Sequence, residues 1–306
     1  MLRAVFIGLS ENKSLRHFAE SSAMGRRMSS RFAAGLEVKD AVAAAKKLNA
    51  MGATVSIDNL GENVTNAAEA RESAKLYHDM LDELSKDGLK ANISLKLTHM
   101  GLDVDPALCH DLVSELVDHA VKIDNFVRID MEGSPYTQKT LDFVHELHRI
   151  PGHSGHVGAV IQSYMRRAEA DVEKLLSERI RIRLCKGAYK EPADIAFQQK
   201  SEVDANYVKL AKTLIKSGVY HGIATHDENI INELKQFAKA ESIPASAFEF
   251  QMLYGVRRGL QEQLIKEGWG LRVYVPFGTE WYPYFMRRLA ERPANALFIA
   301  KNMFRN

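Results

Sequence analysis

Short apolar runs rich in β-branched residues recur eight times along the chain, and each run is followed by a segment with helical spacing or good helix formers. The runs occupy residues 53–58, 92–97, 126–131, 156–162, 180–187, 221–226, 248–253 and 271–278. Runs of this length and composition predict β-strands, and strands that alternate with helices predict right-handed parallel βαβ units. Eight such units fit a closed (βα)8 barrel better than an open sheet.

The helices that complete these units are predicted from apolar spacing and from their caps. They fall at residues 66–85, 107–122, 136–149, 169–179, 203–217, 229–240 and 282–291. The second is preceded by Asp105-Pro106, a capping residue followed by proline at the first helical position. Residues 38–51 predict a further amphipathic helix ahead of the first strand. We therefore expect an N-terminal helical arm over residues 1–52, packed on a barrel domain over residues 53–306.

Composition narrows the class of protein. The 41 basic and 39 acidic residues leave a formal net charge of only +2, which argues against a nucleic-acid-binding protein. The two cysteines, Cys109 and Cys185, lie too far apart for a CxxC motif and predict reduced thiols. The first ten residues are too short an apolar stretch for a signal peptide, and no run approaches the ~18 apolar residues of a membrane span. We expect a cytoplasmic protein.

Polar side chains close every predicted strand. They include Asp58, Glu62, Lys96, Asp130, Glu132, Gln162, Tyr164, Arg183, Lys186, Thr225, His226, Asp227, Gln251, Tyr254 and Tyr274. A single charged residue at a strand end is usually a solvated terminus. Active sites of (βα)8 barrels lie at the carboxyl ends of the strands, so eight polar termini that converge there predict a functional mouth.

A metal centre is disfavoured. Asp130 and Glu132 alternate on a predicted strand, which places both carboxylates on one face, but a metal site would also want histidines within reach. His226 is the histidine at a strand end, and no HExxH spacing occurs. His145 and His148 fall on a predicted outer helix, where we expect solvent exposure. We predict no bound metal.

Two segments suggest that the mouth binds anions. Lys186-Gly187-Ala188 closes the fifth strand and offers a point charge beside a backbone that a phosphate can approach, although there is no GxGxxG motif. Tyr284, Arg287 and Arg288 have helical spacing after the eighth strand. Paired arginines are often a surface salt-bridge cluster, and their place beside the mouth favours instead a clamp for a carboxylate.

With these motifs the chain resembles the proline dehydrogenase family, especially its short monofunctional bacterial members. The matching segments are SIDNLGE (56–62), SLKL (94–97), RIDME (128–132), VIQSY (160–164), RLCKGAY (183–189), ATHD (224–227), FEFQMLYG (248–255), YVPFG (274–278) and WYPYFMRRLAERPAN (281–295). Many relatives have Asn where this chain has Asp227, and a commoner aliphatic residue where it has Cys185, which we expect to be buried.

The resemblance implies a distorted (βα)8 TIM-like barrel that holds FAD without a covalent link and oxidises L-proline to Δ1-pyrroline-5-carboxylate, with a membrane quinone as electron acceptor. It implies these roles: Asp130 and Arg183 at the catalytic positions; Lys96, Tyr274, Tyr284, Arg287 and Arg288 around the substrate; Glu62 as a gate paired with a clamp arginine; and Met131, Gln162, Arg183, Lys186, Gly187, Ala188, Thr225 and His226 at the cofactor. We expect Asp130 to orient Arg183 or Lys96.

Two other functions remain open on the residues alone. Lys96 or Lys186 could act as the amine nucleophile of a Schiff-base lyase, although arginines and carboxylates crowd both lysines. The chain could also be a catalytically silent protein that binds a flavin or a metabolite. Because a quinone is lipid-soluble, we further expect transient peripheral contact with the inner face of the membrane through the basic N-terminal arm, whose alternative role is to cover part of the barrel.

Overall fold

The structure is a computed structural model and describes residues 32–282 and 284–286. Eight parallel strands close into a barrel in sequence order, with β8 paired to β1. The strands are β1 (Thr54–Asn59), β2 (Ala91–Leu95), β3 (Val127–Ile129), β4 (Val157–Gln162), β5 (Arg181–Cys185), β6 (His221–Ala224), β7 (Phe248–Leu253) and β8 (Gly270–Phe277). The predicted (βα)8 barrel is confirmed, strand for strand.

The helices lie on the outside of the barrel, one ahead of β1 and the others between successive strands. They are α1 (Val38–Ala50), α2 (Ala67–Lys86), α3 (Pro106–Lys122), α4 (Ser134–Arg149), α5 (Ala168–Ser177), α6 (Lys200–Lys216), α7 (Glu228–Ala240) and α8 (Arg258–Lys266), with a short 3-10 turn at Thr98–Met100. Asp105 caps α3 by accepting from the backbone N–H groups of Ala107 and Leu108, as its sequence predicts. The nine-residue α8 was not predicted; it is short, and it follows Arg257 in a left-handed conformation.

Residues ahead of β1 pack on the barrel as far as the structure describes them. Helix α1 contacts β1 and β8, and Ala34 N donates to Pro276 O at 2.8 Å. Residues 1–31 of the predicted arm lie outside the described residues, so the boundary at residue 52 stays a prediction. Within the described residues, no helix is both long and apolar enough to cross a bilayer.

The strands carry apolar side chains toward the helices and polar ones toward the barrel axis. In β1, Val55 and Ile57 are fully buried in the hydrophobic core, whereas Ser56 is equally buried but accepts from Arg183 of β5, on the far side of the barrel. Successive side chains of a strand alternate between its two faces, so the alternation in sequence sets up a polar interior. This interior connects the two ends of the barrel and positions the site described below.

Two expectations about burial are wrong. His145 and His148 of α4 are 3% and 9% exposed, because the helix face that carries them packs inward with Val144 and Leu147, and His145 Nδ1 lies 3.0 Å from Glu178 Oε1. Cys185 at the end of β5 is half-buried and packs against the edge of the hydrophobic core.

Candidate active site

Arg183 of β5 is the centre of the polar interior near the carboxyl ends of the strands. Its Nε donates to Gln251 Oε1 at 2.6 Å, and its Nη2 donates to Ser56 Oγ at 2.9 Å. Its Nη1 donates to Asp130 Oδ1 at 2.7 Å and to Ser94 Oγ at 3.1 Å. The side chain is 7% exposed, so four strands other than its own, or the ends of those strands, fix one buried cation in one orientation.

Asp130 lies directly after β3, which ends at Ile129, two residues before the predicted end at Met131. Its backbone N–H donates to Leu95 O at 2.8 Å, and its carboxylate accepts from Ser94 Oγ at 2.8 Å as well as from Arg183. Asp130 thus contacts Arg183, one of the two residues that we expect it to orient, and its role stays a prediction.

Glu132 does not share a site with Asp130, although strand alternation predicted a common face. The strand ends at Ile129, and the turn that follows sends Glu132 to the 3-10 segment, where it accepts from Thr98 N at 3.2 Å and from Thr98 Oγ1 at 2.7 Å. Burial raises the pKa of Glu132, and the hydrogen bonds from Thr98 oppose that effect. No group of three His, Cys, Asp or Glu side chains arranged to hold a metal occurs in residues 32–282 and 284–286, and the absence of a metal stays a prediction.

Tyr274 of β8 links two carboxylates. Its hydroxyl oxygen lies 2.7 Å from Asp58 Oδ2 and 2.9 Å from Asp130 Oδ2, and its ring lies under the guanidinium of Arg183 at 5.1 Å. A phenol has a single proton to donate, so it satisfies both carboxylates only when one of them carries a proton of its own. Burial raises the pKa of Asp58, and the charge of Asp130 adds to this effect, while Lys96 and Tyr274 oppose it.

Lys96 completes this network beyond the end of β2. Its Nζ lies 3.1 Å from Asp58 Oδ2, and the lysine side chain is 13% exposed. Burial opposes the charged ammonium, but the carboxylates of Asp58, Asp130 and Glu62 together raise its pKa. Lys96 and Arg183 therefore face Asp58 and Asp130 as two cations against two carboxyl groups, and a bound carboxylate would need further cations to be neutralised.

The loop after β1 passes over a buried histidine. A Cβ at Gly61 would lie 2.3 Å from Nε2 of His99, so the backbone can approach the ring only because residue 61 has no side chain. Burial lowers the pKa of His99 to about 4, and the neighbouring charge of Lys96 adds to this effect. This neutral imidazole supports the segment that places Glu62, the predicted gate, at the same mouth.

A second group of predicted residues lies on the β3–β6 side of the mouth. Gln162 at the end of β4 donates from Nε2 to Glu132 O at 3.0 Å and accepts from Ala188 N at 3.4 Å. The backbone turns sharply at Gly187, whose φ is +113°, and a Cβ there would lie 2.3 Å from the ring of Tyr164. Met131 is also buried.

Lys186 holds two acidic side chains together. Its Nζ lies 2.6 Å from Asp204 Oδ1 and 3.2 Å from Asp227 Oδ2. Although partial burial disfavours the charged carboxylate, the hydrogen bond from Lys186 lowers the pKa of Asp227. Thr225 Oγ1 accepts from the backbone N–H of Asp227 at 3.1 Å, which fixes the turn after β6. In the structure Asp227 thus serves Lys186 and caps α7.

His226 ties β6 to its neighbour. Its Nε2 accepts from Leu253 N at 2.9 Å, and its carbonyl oxygen accepts from Arg257 Nη1 at 3.0 Å.

The predicted substrate residue Tyr284 is 7% exposed, in a small apolar cluster with Leu60 and Trp281. Arg287 and Arg288, the predicted clamp residues, lie outside the described residues.

Residues that the sequence did not assign complete the network. Asp58 and Gln251 were noted as polar strand ends without a role, and Ser56 and Ser94 stood within the matching segments but were given no role. Their spacing in the sequence could have identified the two serines. Ser56 precedes Asp58 by two residues and Ser94 precedes Lys96 by two, which puts each pair on one face of its strand.

The charged network at the carboxyl ends of the strands is the arrangement of a (βα)8-barrel enzyme with its active site in the mouth. The family model for proline dehydrogenase matches residues 41–301. Proline dehydrogenase 1 of Bacillus subtilis subsp. natto is 42% identical over 306 residues, which is the whole of both chains. Proline dehydrogenase of Deinococcus radiodurans is 38% identical over 91% of this chain and 90% of its own.

A comparison with solved structures points to the same family. Proline utilization A from Bdellovibrio bacteriovorus, inactivated by N-propargylglycine, superposes with a TM-score of 0.84 and 26% identity over 95% of this chain and 36% of its own. The chain belongs to the proline dehydrogenase family and is an oxidoreductase that acts on proline.

Proposed function

We propose that the chain oxidises L-proline to Δ1-pyrroline-5-carboxylate with non-covalently bound FAD and passes the electrons to a quinone. The observation that carries this proposal is the buried network in which Arg183 is held by Asp130, and Tyr274 joins Asp130 to Asp58 and Lys96. It offers fixed charge of both signs beside a mouth that faces solvent, which suits a small zwitterionic substrate and a redox cofactor.

The residues on the β3–β6 side fit a flavin. Gly187 has no side chain and Ala188 has only a methyl group, so a cofactor could approach the backbone on the side away from Tyr164, and Gln162 adds an amide donor and acceptor. Arg183 would face the polar edge of the ring system, while Met131, Lys186, Thr225 and His226 would complete the cofactor site. Lys186 already bridges Asp204 and Asp227, so we assign it two roles: it holds these carboxylates together and contacts the cofactor.

The bound flavin would accept a hydride from the carbon next to the substrate nitrogen. Lys96, Arg287 and Arg288 would bind the substrate carboxylate and fix its orientation, which is the positioning contribution of this chain. Tyr274 and Tyr284 would line the site around the proline ring. Arg183, held by its hydrogen bonds, supplies preorganised positive charge where negative charge develops. Glu62 would close the mouth by pairing with a clamp arginine.

An anaerobic titration tests this function directly. Protein purified with its cofactor should be yellow, should bleach when proline is added, and should regain its colour when a soluble quinone is added. Acid precipitation should leave the pellet colourless and the supernatant yellow. Failure of proline to bleach the protein would favour a silent binding protein, and a colourless protein that is trapped by borohydride reduction in the presence of a carbonyl substrate would favour the lyase.

We also propose a cytoplasmic enzyme that touches the inner face of the membrane transiently. Each basic residue near anionic lipid contributes only ~1 kcal/mol, so the contact should be weak at a net charge of +2. Sedimentation with anionic vesicles should show weak binding that is lost at high salt. Binding that survives molar salt would contradict an electrostatic contact.

A further inference from the structure

The amino-terminal end of the barrel, opposite the active site, contains a cavity of about 400 Å³. Its walls come from the first residues of the strands and from the loops that precede them, including Lys90, Asn125, His156 and Thr54. Its inner wall reaches Arg183 and Gln251 of the active-site network, whereas its other lining residues have no part in the proposed reaction, because active sites of this fold lie at the other end.

Four guanidinium groups line the cavity: those of Arg128 on β3, Arg181 and Arg183 on β5 and Arg272 on β8. Arg183 is the active-site arginine and is already paired with Asp130. Arg128 is 4% exposed, and the guanidinium carbons of Arg128 and Arg181 lie 4.6 Å and 4.3 Å from the centre of the Phe126 ring. One aromatic ring thus has a cation close to it from each of two strands, which brings like charges together.

The described part of the cavity wall provides a single buried carboxylate, that of Glu249, and it is already engaged. Glu249 lies 2.5 Å from Arg272 Nε, and it also accepts from Gln251 Nε2 at 2.7 Å and from Tyr220 OH at 3.0 Å. The only other acidic lining residue among those described, Asp124, is exposed on the rim. Arg272 is therefore neutralised.

Arg128 and Arg181 have no carboxylate within ion-pair distance among the described residues. Arg128 Nη1 donates to two backbone carbonyl oxygens, Ala159 O at 2.8 Å and Arg181 O at 2.7 Å. The Nε of Arg181 is buried and has no hydrogen-bond partner in residues 32–282 and 284–286. Neutral partners and an aromatic ring orient these two cations, and the carboxylate that acts on both of them, Glu249, is already paired with Arg272.

Strand β4 has a glycine, Gly158, where Arg128 and Arg181 approach it. A Cβ on Gly158 of β4 would lie 2.8 Å from Arg128 Nη1 and 2.3 Å from Arg181 O, so any larger residue would displace the guanidinium. Burial lowers the pKa of Arg128 well below its ordinary value, and the charges of Arg183 and Arg181 add to this effect. Buried cations of this kind are stable when an anion accompanies them.

We propose that this amino-terminal cavity is an anion site that takes a phosphate group, with Arg128 and Arg181 as its ligands. Guanidinium forks match the oxygens of phosphate in a bidentate way, and two cations match its charge at neutral pH. The cavity has room for a free phosphate ion or for the phosphate of a small monoester, and the experiment distinguishes these two sources.

The test uses the full-length, flavin-loaded protein and isothermal titration calorimetry with inorganic phosphate, at constant ionic strength maintained with sodium chloride. We expect one phosphate per chain. Arg181→Gln should weaken binding by about tenfold or more, as for loss of a charge-assisted hydrogen bond. The charge-matched control is Arg71→Gln, on the exposed face of α2 at the other end of the barrel, which should bind phosphate like the wild type.

The second part of the experiment repeats the titration with glycerol phosphate. Binding as tight as that of phosphate identifies a monoester as the source, and its exclusion while phosphate binds identifies the free ion. Should Arg181→Gln fail to fold, the wild-type melting temperature decides, because a ligand of the folded state raises it with concentration. Phosphate that binds or stabilises no better than chloride at equal ionic strength, or binding that Arg181→Gln leaves intact, overturns the proposal.

Discussion

Arg183 and Asp130 form an ion pair with an Nη1–Oδ1 distance of 2.7 Å, and their side chains are only 7% and 13% exposed. Removal of one partner from a buried pair leaves the other charge uncompensated, at a cost of ~3–5 kcal/mol. We therefore expect Asp130→Ala to lower the free energy of unfolding by about this amount, and Asp130→Asn, which keeps an acceptor for Ser94, to lower it less.

Urea denaturation of the two variants measures this effect. The control is Asp79→Ala, which removes a carboxylate from an exposed pair with Lys75 on α2 and should change stability far less. Equal losses for Asp130→Ala and Asp79→Ala would contradict the view that Asp130 stabilises the buried cation.

The Tyr274 hydroxyl is expected to matter for the reaction. Tyr274→Phe keeps the ring under Arg183 but removes the hydrogen-bond link between Asp58 and Asp130. A hydrogen bond to a charged group contributes ~1.5–3 kcal/mol, so kcat/KM for proline should fall by about 10- to 100-fold. Tyr136→Phe, which loses a hydroxyl bonded to the exposed Asp103, is the matched control in steady-state assays. Similar losses in both variants would remove Tyr274 from the site.

The loop over His99 gives a prediction about packing. Gly61→Ala would place a methyl group 2.3 Å from the imidazole, and overpacking of this kind costs ~1–3 kcal/mol. Thermal unfolding should show the loss. In contrast, Gly259→Ala on α8 meets nothing within 4 Å and replaces a poor helix former, so it should be neutral or slightly stabilising. A Gly61→Ala protein as stable as the wild type would show that the loop is free to move off the ring.

The clamp prediction concerns Arg288, which lies outside the described residues and is assigned from the family resemblance. Arg288→Lys keeps the charge but replaces a two-pronged fork with a point charge. Binding of a proline-like competitive inhibitor should weaken by ~1.5–3 kcal/mol while the flavin content stays normal. Inhibition constants for the variant and the wild type measure this effect, and equal constants would exclude Arg288 from the clamp.

Local pattern was enough to predict the barrel but not its interior contacts. Each strand is specified by its own β-branched run, so all eight were predicted, whereas the end of β3 at Ile129 depends on where the neighbouring strands stop pairing. The sequence placed Asp130 and Arg183 at strand ends. It could not show that Arg183 reaches Ser56 across the barrel, because that contact depends on barrel closure and register.

Burial of polar side chains was the least predictable property. His145 and His148 have the spacing of an outer helix, and only the packing of α4 shows that they lie on its inner face. The polar layers inside the barrel were visible in part, since Asp58 and Lys96 close their strands. Their pairing with each other was not, because two cations and two carboxylates can be combined in several ways.

A buried histidine at the start of β6 predicts how stability depends on pH. His221 Nδ1 accepts from Ile182 N at 2.9 Å, and burial, with the charges of Arg128 and Arg181, lowers the pKa of His221 to about 3. In the unfolded chain a histidine has a pKa of about 6.5, so below that pH the unfolded state binds a proton that the folded state does not. The stability that His221 contributes is complete above this pH and is lost as pH falls toward 3.

Between pH 7 and pH 5 this one group should lower the free energy of unfolding by about 2 kcal/mol. His221→Asn keeps an acceptor for Ile182 N but cannot titrate, so its stability should fall less over the same interval than that of the wild type. Urea denaturation at the two pH values measures the difference. His110→Asn, at a half-exposed histidine of α3, should retain the wild-type dependence. Parallel losses in the wild type and His221→Asn would mean that other groups cause the acid sensitivity.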